Sequence, residues 1–349
     1  MRKPDFDNLL AVLNREVPDR PTLFEFFLNA RLHEKLASLT PTADGNPLEG
    51  YPLLVRAFAN AGYDYVTTHA SDYEFPYKQP PRGSTISLNA GAVIFDRASF
   101  EAYEWKDPDK ADYSRLDEIA ELLPDGMRIA AYGPGGVLEN VVFLLGYNNL
   151  SYLLVDDPEL VEDVFAAVGS GLVRYYEICS PHPAVGAVIS NDDWGFNKQT
   201  TLRPEDMRRY IFPWHKRIVE TIHATGKPAV LHSCGQLEQV MDDVIDDMGY
   251  DAKHSYEDKI LPIEDAYERW GGRIAMLGGI DVDFVCRSTP AKIVERSRAM
   301  LERTAERGGW ALGTGNSVPE YVPDDHYLAM VSVINPEVLE LCEYDGRGL

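Results

Sequence analysis

The segment His232-Ser233-Cys234 has the clearest potential for chemistry in this sequence. A neutral imidazole and a thiolate two residues apart suit a borderline divalent ion such as zinc. On a strand that runs into a loop, residues i and i+2 point the same way, so both side chains can reach one ion. Gly235 follows and allows a tight turn. The alternative is a buried thiol beside a core histidine, and the pattern alone leaves both interpretations open.

Carboxylates in two other segments are candidates for the same site. Glu25 interrupts the apolar segment Leu23–Phe27, where a charge is costly unless it is paired or faces a polar cavity. A structural ion pair is the alternative there. Asp192 and Asp193 follow an apolar run and could bind a cation, act as acid or base, or cap a helix. The adjacent Trp194 either lines a pocket or belongs to the core.

Further polar residues stand at the ends of other apolar runs. His254 either faces the site or is structural, and Tyr132 ends another run. Asp281 follows a glycine pair that either brings backbone close to a ligand or forms a tight turn. The glycine-rich segment Gly313–Ser317, which contains Asn316, could expose N–H groups to an anionic ligand.

The elements that must position these residues alternate along the chain. Short β-branched or aromatic runs end in Gly, Asp, His or Asn, and amphipathic helical segments follow them. Eight strands are predicted: Thr22–Phe27, Tyr65–His69, Arg128–Tyr132, Gly186–Ser190, Ala229–His232, Asp251–His254, Ile274–Leu277 and Trp310–Leu312. Helices with proline and polar or acidic start signals are predicted over Pro158–Ser170, Arg203–Thr225 and Pro290–Arg307.

Eight strands interleaved with helices favour a single (β/α)8 TIM-type barrel over residues 1–349. An open doubly wound sheet is the alternative, but no G-x-G-x-x-G follows the first strand. We expect an N-terminal helical extension, and Asp72–Gln79 is predicted to pair with Ile86–Asp96 as a β-hairpin after the second strand. In such a barrel, chemistry lies at the C-terminal ends of the strands, where the candidate residues stand.

Composition excludes some classes of partner. The chain of 349 residues is 45% hydrophobic and 26% charged, as in ordinary globular proteins. Its net charge of -23 argues against nucleic acid and anionic membranes as partners. No apolar run approaches the ~20 residues that span a bilayer, and the N-terminus has no signal-peptide pattern. The four scattered cysteines are typical of a cytoplasmic protein without a disulfide framework.

The strand-end residues, in this order, resemble the uroporphyrinogen decarboxylase superfamily, which includes cobalamin-dependent methyltransferases of the methylcobamide:coenzyme M type. The resemblance covers nearly the whole chain, is strongest from 133 to 327 and implies a (β/α)8 barrel. The segments that carry it are Tyr132-Gly133-Pro134-Gly135, Asp156–Leu160, Asp192–Gly195, Pro228–Gly235, Gly278–Asp281 and Gly315–Pro323.

Two motifs separate this chain from true uroporphyrinogen decarboxylases. Those enzymes carry an arginine-rich R-Q-A-G-R-Y stretch that grips substrate carboxylates, whereas the matching segment Phe24–Arg31 contains Glu25. Their G-H-G motif on the last strand reads Gly315-Asn316-Ser317 here. An octa-anionic porphyrinogen would also meet a strongly acidic protein.

The methyltransferase branch holds zinc with H-x-C on the fifth strand and a cysteine on the eighth. His232 and Cys234 match the first two ligands, and the third position falls on Asn316. The resemblance therefore implies a zinc site at His232 and Cys234 with an altered third ligand. The candidates for the missing ligand are Glu25, Asp193 and His254.

The resemblance implies a corrinoid-dependent methyltransferase component. It would move a methyl group between a small donor, such as a methoxylated aromatic or a methylated amine or thiol, and a separate corrinoid protein, with zinc as Lewis acid. No D-x-H-x-x-G motif is present, so we expect the corrinoid on a partner; a homodimer stays open. The alternatives are a cofactor-free decarboxylase and a non-catalytic ligand-binding barrel. The expected site comprises metal ligands His232 and Cys234, catalytic residues Glu25, Asp193 and His254, and substrate-binding residues Tyr132, Trp194, Asp281 and Asn316.

Overall fold

Seven parallel strands form one sheet in the computed structural model, which describes residues 2–342 except 41, 43–45, 78–87 and 90. Each strand pairs with the next one along the chain. They are β1 (Tyr65–His69), β2 (Arg128–Tyr132), β3 (Val185–Asn191), β4 (Ala229–His232), β5 (Ala252–His254), β6 (Ala275–Leu277) and β7 (Trp310–Ala311). Seven of the eight predicted strands are thereby confirmed.

Helices connect most of the strands, as alternating α/β folds require. Asp157 caps the helix Pro158–Cys179, and Pro158 occupies its first turn. The predicted helix over 203–225 is instead two helices that meet at Ile211, because Pro213 has no N–H group to continue the helical ladder. The α-helices are α1 (Phe6–Leu13), α2 (Ala30–Ala37), α3 (Gly50–Ala61), α4 (Arg97–Glu101), α5 (Arg115–Ala120), α6 (Val137–Leu145), α7 (Tyr147–Asp156), α8 (Pro158–Cys179), α9 (Pro204–Tyr210), α10 (Phe212–His223), α11 (Ile263–Trp270), α12 (Val282–Arg287), α13 (Pro290–Thr304) and α14 (Asp324–Val331). Other helical segments are 3-10 helices at Pro108–Lys110, Glu238–Val240 and Pro336–Leu341 and a π-helix at Asp243–Met248.

The predicted first strand, Thr22–Phe27, is reduced to an isolated parallel bridge between Leu23 and Leu312, just beyond β7. Two backbone hydrogen bonds of 2.7 and 2.9 Å accompany the bridge. On its other side the segment meets β1 through a side chain, since the Tyr65 hydroxyl donates to the Glu25 carbonyl at 2.6 Å. The segment therefore spans the two edges of a TIM-like sheet, but the expected eight strands are not reached among the described residues.

Two expectations concern the periphery of the fold. The first is an N-terminal helical extension, and helix α1 lies before the bridge at Leu23. The predicted hairpin of Asp72–Gln79 and Ile86–Asp96 lies partly outside the described residues, and its described parts, 72–77, 88–89 and 91–96, contain no strand. Across the described chain, every helix is too short or too polar to cross a lipid bilayer.

The register of the central strands gathers polar residues at one edge. The strands themselves bury apolar side chains, such as Val188 and Leu231, which have no exposed surface. Asn191 pairs with His232, and His232 pairs with His254. Because the strands are parallel, the last residues of β3, β4 and β5 lie side by side, and the loops that follow them share one end of the sheet.

Candidate metal centre

Three different metal-binding atoms come together after β3 and β4, on Asp193, His232 and Cys234, which we call the ligand triad. A carboxylate oxygen, an imidazole nitrogen and the thiol sulfur lie within 4.8 Å of one another. The Nε2 atom of His232 is 3.8 Å from the sulfur of Cys234. His232 is buried, Cys234 half-buried and Asp193 exposed. This donor set fits a borderline divalent cation such as zinc, with one coordination position left open.

The two loops that carry the ligand triad are in direct backbone contact. A Cβ atom on Gly235 would lie 2.1 Å from the carbonyl oxygen of Gly195, and the φ angle of Gly235 is +89°. A Cβ atom on Gly195 would lie 2.7 Å from the backbone nitrogen of Gln236. The N–H group of Cys234 donates to Asp193 Oδ1 at 2.9 Å. Glycine at both positions thus permits the approach that fixes Asp193 relative to Cys234.

His254 sets the tautomer of His232. The Nδ1 atoms of the two rings are 2.7 Å apart, and Nε2 of His232 faces Cys234. A ligating nitrogen carries no proton, so His232 bound through Nε2 must carry its proton on Nδ1 and donate it to His254. Burial lowers the pKa of both histidines, which keeps both rings neutral as this arrangement requires. His254 is therefore placed as the outer partner of His232 and lies outside the triad.

The sulfur of Cys234 receives two hydrogen bonds. Asn316 Nδ2 donates to it at 3.2 Å and the Ser255 hydroxyl at 3.4 Å. Burial, together with the carboxylate of Asp193, raises the pKa of the Cys234 thiol to about 12. The thiol therefore stays protonated at neutral pH unless a cation displaces the proton, after which both donors would contact a thiolate.

The carboxamide of Asn316 acts as a hydrogen-bond donor at this site. Its Nδ2 faces Cys234, and its Oδ1 accepts from the N–H group of Ser317 at 2.8 Å. The nitrogen, which cannot bind a metal, therefore faces the sulfur, and the oxygen faces the backbone of Ser317. Asn316 contacts the sulfur from the position at which a third ligand was expected.

Glu25 is separate from the ligand triad. It has no exposed surface, and Thr314 provides both of its partners: the backbone N–H group donates to Oε1 at 2.6 Å, and the hydroxyl lies 2.8 Å from Oε2. Burial raises the pKa of Glu25 to about 8. Among the described residues no cation pairs with it, and its hydrogen-bond partners are the two groups of Thr314.

Asp192 has a different environment from Asp193. It is fully buried and accepts from two backbone N–H groups at the start of α6, at 2.9 Å each. Its Oδ2 also lies 2.9 Å from Nε2 of His215. These contacts cap a helix. Trp194 has no exposed surface and packs edge-on against the His215 ring at 4.7 Å between centroids, so it belongs to the core and not to the wall of a pocket.

Tyr132 and Asp281 lie farther from the triad. The ring of Tyr132 contacts His69 at 4.1 Å and Phe26 at 4.9 Å, and Phe26 in turn contacts the ring of His232 at 4.6 Å. Tyr132 is thus connected with His232 indirectly, through the ring of Phe26. Asp281 caps the first turn of α12 and accepts the N–H group of Asp258, in the loop after β5, at 2.9 Å.

A cleft of about 560 Å³ opens beside the ligand triad. Asn316 lies in its wall and also donates to Cys234, so this side chain connects the cleft with the ligand triad, whose three residues do not themselves line the cleft. Its volume is that of a small-molecule site. The lining combines aromatic rings with charges of both signs, from Phe27, Tyr256, Tyr321, Glu257, Asp281, Asp283, Lys259 and Arg287.

Lys253 is a residue of this site that sequence reasoning missed. It is 4% exposed, and its ammonium group donates to the carbonyls of Ser255 at 2.5 Å and Ser233 at 3.3 Å and lies 4.4 Å from the ring of Tyr256. Burial lowers its pKa to about 8, and no carboxylate forms an ion pair with it in the described part of the chain. Its charge favours the thiolate of Cys234. The available signal was a lysine inside the predicted strand Asp251–His254.

Comparison with known proteins identifies a family and a fold. The family model for uroporphyrinogen decarboxylase (URO-D) matches residues 129–336, about three fifths of the chain. A uroporphyrinogen decarboxylase from Anaeromyxobacter sp. (strain Fw109-5) is 23% identical over 190 residues, which are 54% of this chain and 52% of that protein. One from Myxococcus xanthus (strain DK1622) is 27% identical over 143 residues, or 39% of this chain and 38% of that protein. The chain thus spans about half the length of the curated relatives it matches.

Among solved structures, a methyltransferase from Methanosarcina mazei has the same fold. The match has a TM-score of 0.65 at 16% identity and covers 94% of this chain and 97% of the other. Such a likeness supports the TIM-like α/β architecture described above.

Proposed function

This chain belongs to the uroporphyrinogen decarboxylase (URO-D) family, and on that premise we propose that it is a metal-dependent methyltransferase component. It moves a methyl group between a small donor and a corrinoid that a separate protein carries. The donor is a methoxylated aromatic or a methylated amine or thiol. The observation that carries the proposal is the ligand triad of Asp193, His232 and Cys234 at the C-terminal ends of the strands.

Zinc is the proposed metal because it fits the charges and donor types of the triad. One thiolate and one carboxylate would balance its two positive charges, and a neutral imidazole completes the set. Three protein ligands leave the fourth position of a tetrahedral site for the substrate. When bound, the metal supplies Lewis acidity at the heteroatom that carries the methyl group.

The surrounding side chains prepare the site for such an ion. Lys253 and the carboxamide of Asn316 stabilise negative charge on the sulfur of Cys234. The cleft beside Asn316 receives the methyl donor. At its rim, Phe27 and Tyr321 are 46% and 72% exposed, and they offer apolar surface to the donor or to the corrinoid protein.

A cofactor-free decarboxylase is the second candidate, because the curated relatives carry that name. The segment 24–31 argues against it. Arg31 would have to bind substrate carboxylates, but it is paired with Asp324 at 2.9 Å and with Glu320 at 3.3 Å. Glu25 adds a buried acid nearby in sequence, and the net charge of -23 repels a polyanionic porphyrinogen.

Metal analysis and two activity assays distinguish the candidates. The purified protein is expected to contain about one zinc per chain, which the variants Asp193→Ala, His232→Ala and Cys234→Ala lose. The control Cys342→Ala, at a half-buried cysteine outside the triad, is expected to retain it. Methyl transfer from candidate donors to cob(I)alamin is followed by the absorption of the cobalt centre. Metal-free protein that decarboxylates uroporphyrinogen would overturn the proposal, and zinc binding without turnover would favour a ligand-binding barrel.

A further inference from the structure

A chain of hydrogen bonds, which we call the Glu25 relay, runs from Glu25 to the sulfur of Cys234. The hydroxyl oxygen of Thr314 lies 2.8 Å from Oε2 of Glu25 and 2.5 Å from the backbone carbonyl oxygen of Asn316. The side chain of Asn316 then donates to Cys234 Sγ at 3.2 Å. Glu25 and Thr314 have no exposed surface, so bulk water does not compete for these contacts.

The single hydrogen of the Thr314 hydroxyl determines the protonation of Glu25. The carbonyl oxygen of Asn316 can only accept, so the Thr314 hydroxyl donates to it. Oε2 of Glu25 must then carry its own hydrogen and donate it to the Thr314 oxygen. The other carboxyl oxygen accepts from the Thr314 N–H group at 2.6 Å. A neutral Glu25 thus satisfies every partner in the relay.

The surroundings of Glu25 also favour the neutral form. The titratable groups that act on it are the buried phenols of Tyr63, Tyr65 and Tyr327, and burial raises the pKa of each well above its usual value, so they are uncharged. Among the described residues, no lysine or arginine pairs with the carboxyl group, whose pKa burial raises to about 8. An ionised carboxylate here would be a buried charge without a counter-ion.

We propose that Glu25 is a positioning residue: as a neutral acid it holds Thr314, Thr314 fixes the backbone of Asn316, and Asn316 presents an N–H group to the sulfur of Cys234. That this sulfur binds a metal rests on the proposed function. The relay gives a physical role to asparagine at the expected third-ligand position, since its side chain acts on the sulfur and not on the metal. A hydrogen bond to a thiolate withdraws charge from it, which leaves the bound cation a stronger Lewis acid.

Cobalt(II) in place of zinc makes the sulfur–metal bond visible, because thiolate-to-cobalt charge-transfer absorption responds to electron density on sulfur. Asn316→Ala is expected to shift this band to longer wavelength, because more charge stays on the sulfur. It is also expected to weaken cobalt binding at neutral pH about 10- to 100-fold, because the thiol then loses its proton to the metal less readily. Thr314→Val, which removes the hydroxyl, is expected to reproduce both changes. Thr314→Ser retains the hydroxyl and is expected to match the wild type.

Glu25→Gln tests the neutral form of the acid, because the amide keeps one donor and one acceptor. It is expected to match the wild-type spectrum, whereas Glu25→Leu is expected to match Thr314→Val. The double variant of Thr314→Val and Asn316→Ala should shift no further than Asn316→Ala alone, because residues in one network are not additive. Tyr63→Phe removes a neighbouring buried hydroxyl and is expected to lower stability without a spectral change. Additive shifts, or a Glu25→Gln spectrum like that of Glu25→Leu, would overturn the relay.

Infrared spectroscopy of the metal-free protein separates this inference from the proposed function. If the wild type binds neither zinc nor cobalt, the proposed function fails, but the relay still predicts two bands. The carbonyl stretch of a protonated carboxyl group, absent in Glu25→Gln, and the S–H stretch that Cys234→Ala removes are both expected to shift in Thr314→Val. An S–H band that is unchanged in Thr314→Val would overturn the relay.

Discussion

Replacing Glu25 by glutamine is expected to change how the free energy of unfolding depends on pH. Burial raises the pKa of Glu25 from 4.5 to about 8. Between these values the folded protein keeps the proton and the unfolded chain loses it, so stability falls as pH rises through this window and the loss is complete above about pH 8. An ion-paired carboxylate has the opposite dependence, because its pKa is lowered by folding.

The magnitude follows from the width of this window. Each unit of pKa difference corresponds to about 1.4 kcal/mol. Relative to Glu25→Gln, the wild type is therefore expected to lose about 2 to 3 kcal/mol of stability between about pH 5 and pH 7. Urea unfolding of both proteins from about pH 5 to pH 8 measures this difference, and subtraction removes the contribution of all other titrating groups. A difference that does not vary with pH, or a wild-type advantage that grows with pH, would refute a neutral buried acid.

Three further predictions concern the loops around the ligand triad. His254→Ala is expected to weaken metal binding about 10- to 100-fold in competition with a chelator, because it removes the partner that fixes the metal-binding tautomer. Asp192→Asn is expected to lower the free energy of unfolding by about 1 to 3 kcal/mol in urea and to leave the metal content unchanged, whereas Asp193→Asn should lose metal and keep its stability. A stable Asp192 variant without metal would contradict this division. Gly235→Ala places a Cβ atom 2.1 Å from the carbonyl of Gly195, so we expect both a lower Tm and lower metal content.

The strands of this fold can be predicted because their patterns are local. Gly186–Ser190, for example, is a β-branched run that ends at polar residues, and β3 forms there. Thr22–Phe27 has the same kind of pattern but lacks a continuous ladder. Its neighbour on one side is the side chain of Tyr65, and a local pattern carries no information about such a long-range contact.

The candidate site can be predicted only where its members are close in sequence. His232 and Cys234 share a two-residue spacing that already indicates a common target. Asp193 joins them through the register of β3 with β4, and sequence does not distinguish it from Asp192, since both are acids at one strand end. Because successive side chains alternate in direction along the backbone, Asp192 lies in the core and Asp193 lies near the sulfur. Lys253 gives little signal because its hydrogen-bond partners are backbone carbonyls, which every residue has.

The contact between Gly195 and Gly235 also limits how this protein can acquire a new specificity. Neither loop can gain a side chain at the contact without displacing the other. Substitutions at the contact in one loop are therefore restricted by the position of the other loop. The cleft beside Asn316 is lined by other residues, and exposed side chains in its wall, such as those of Lys259, Asp283 and Tyr321, have no such constraint. A directed-evolution library for new substrates should therefore vary that wall and leave the paired glycines intact.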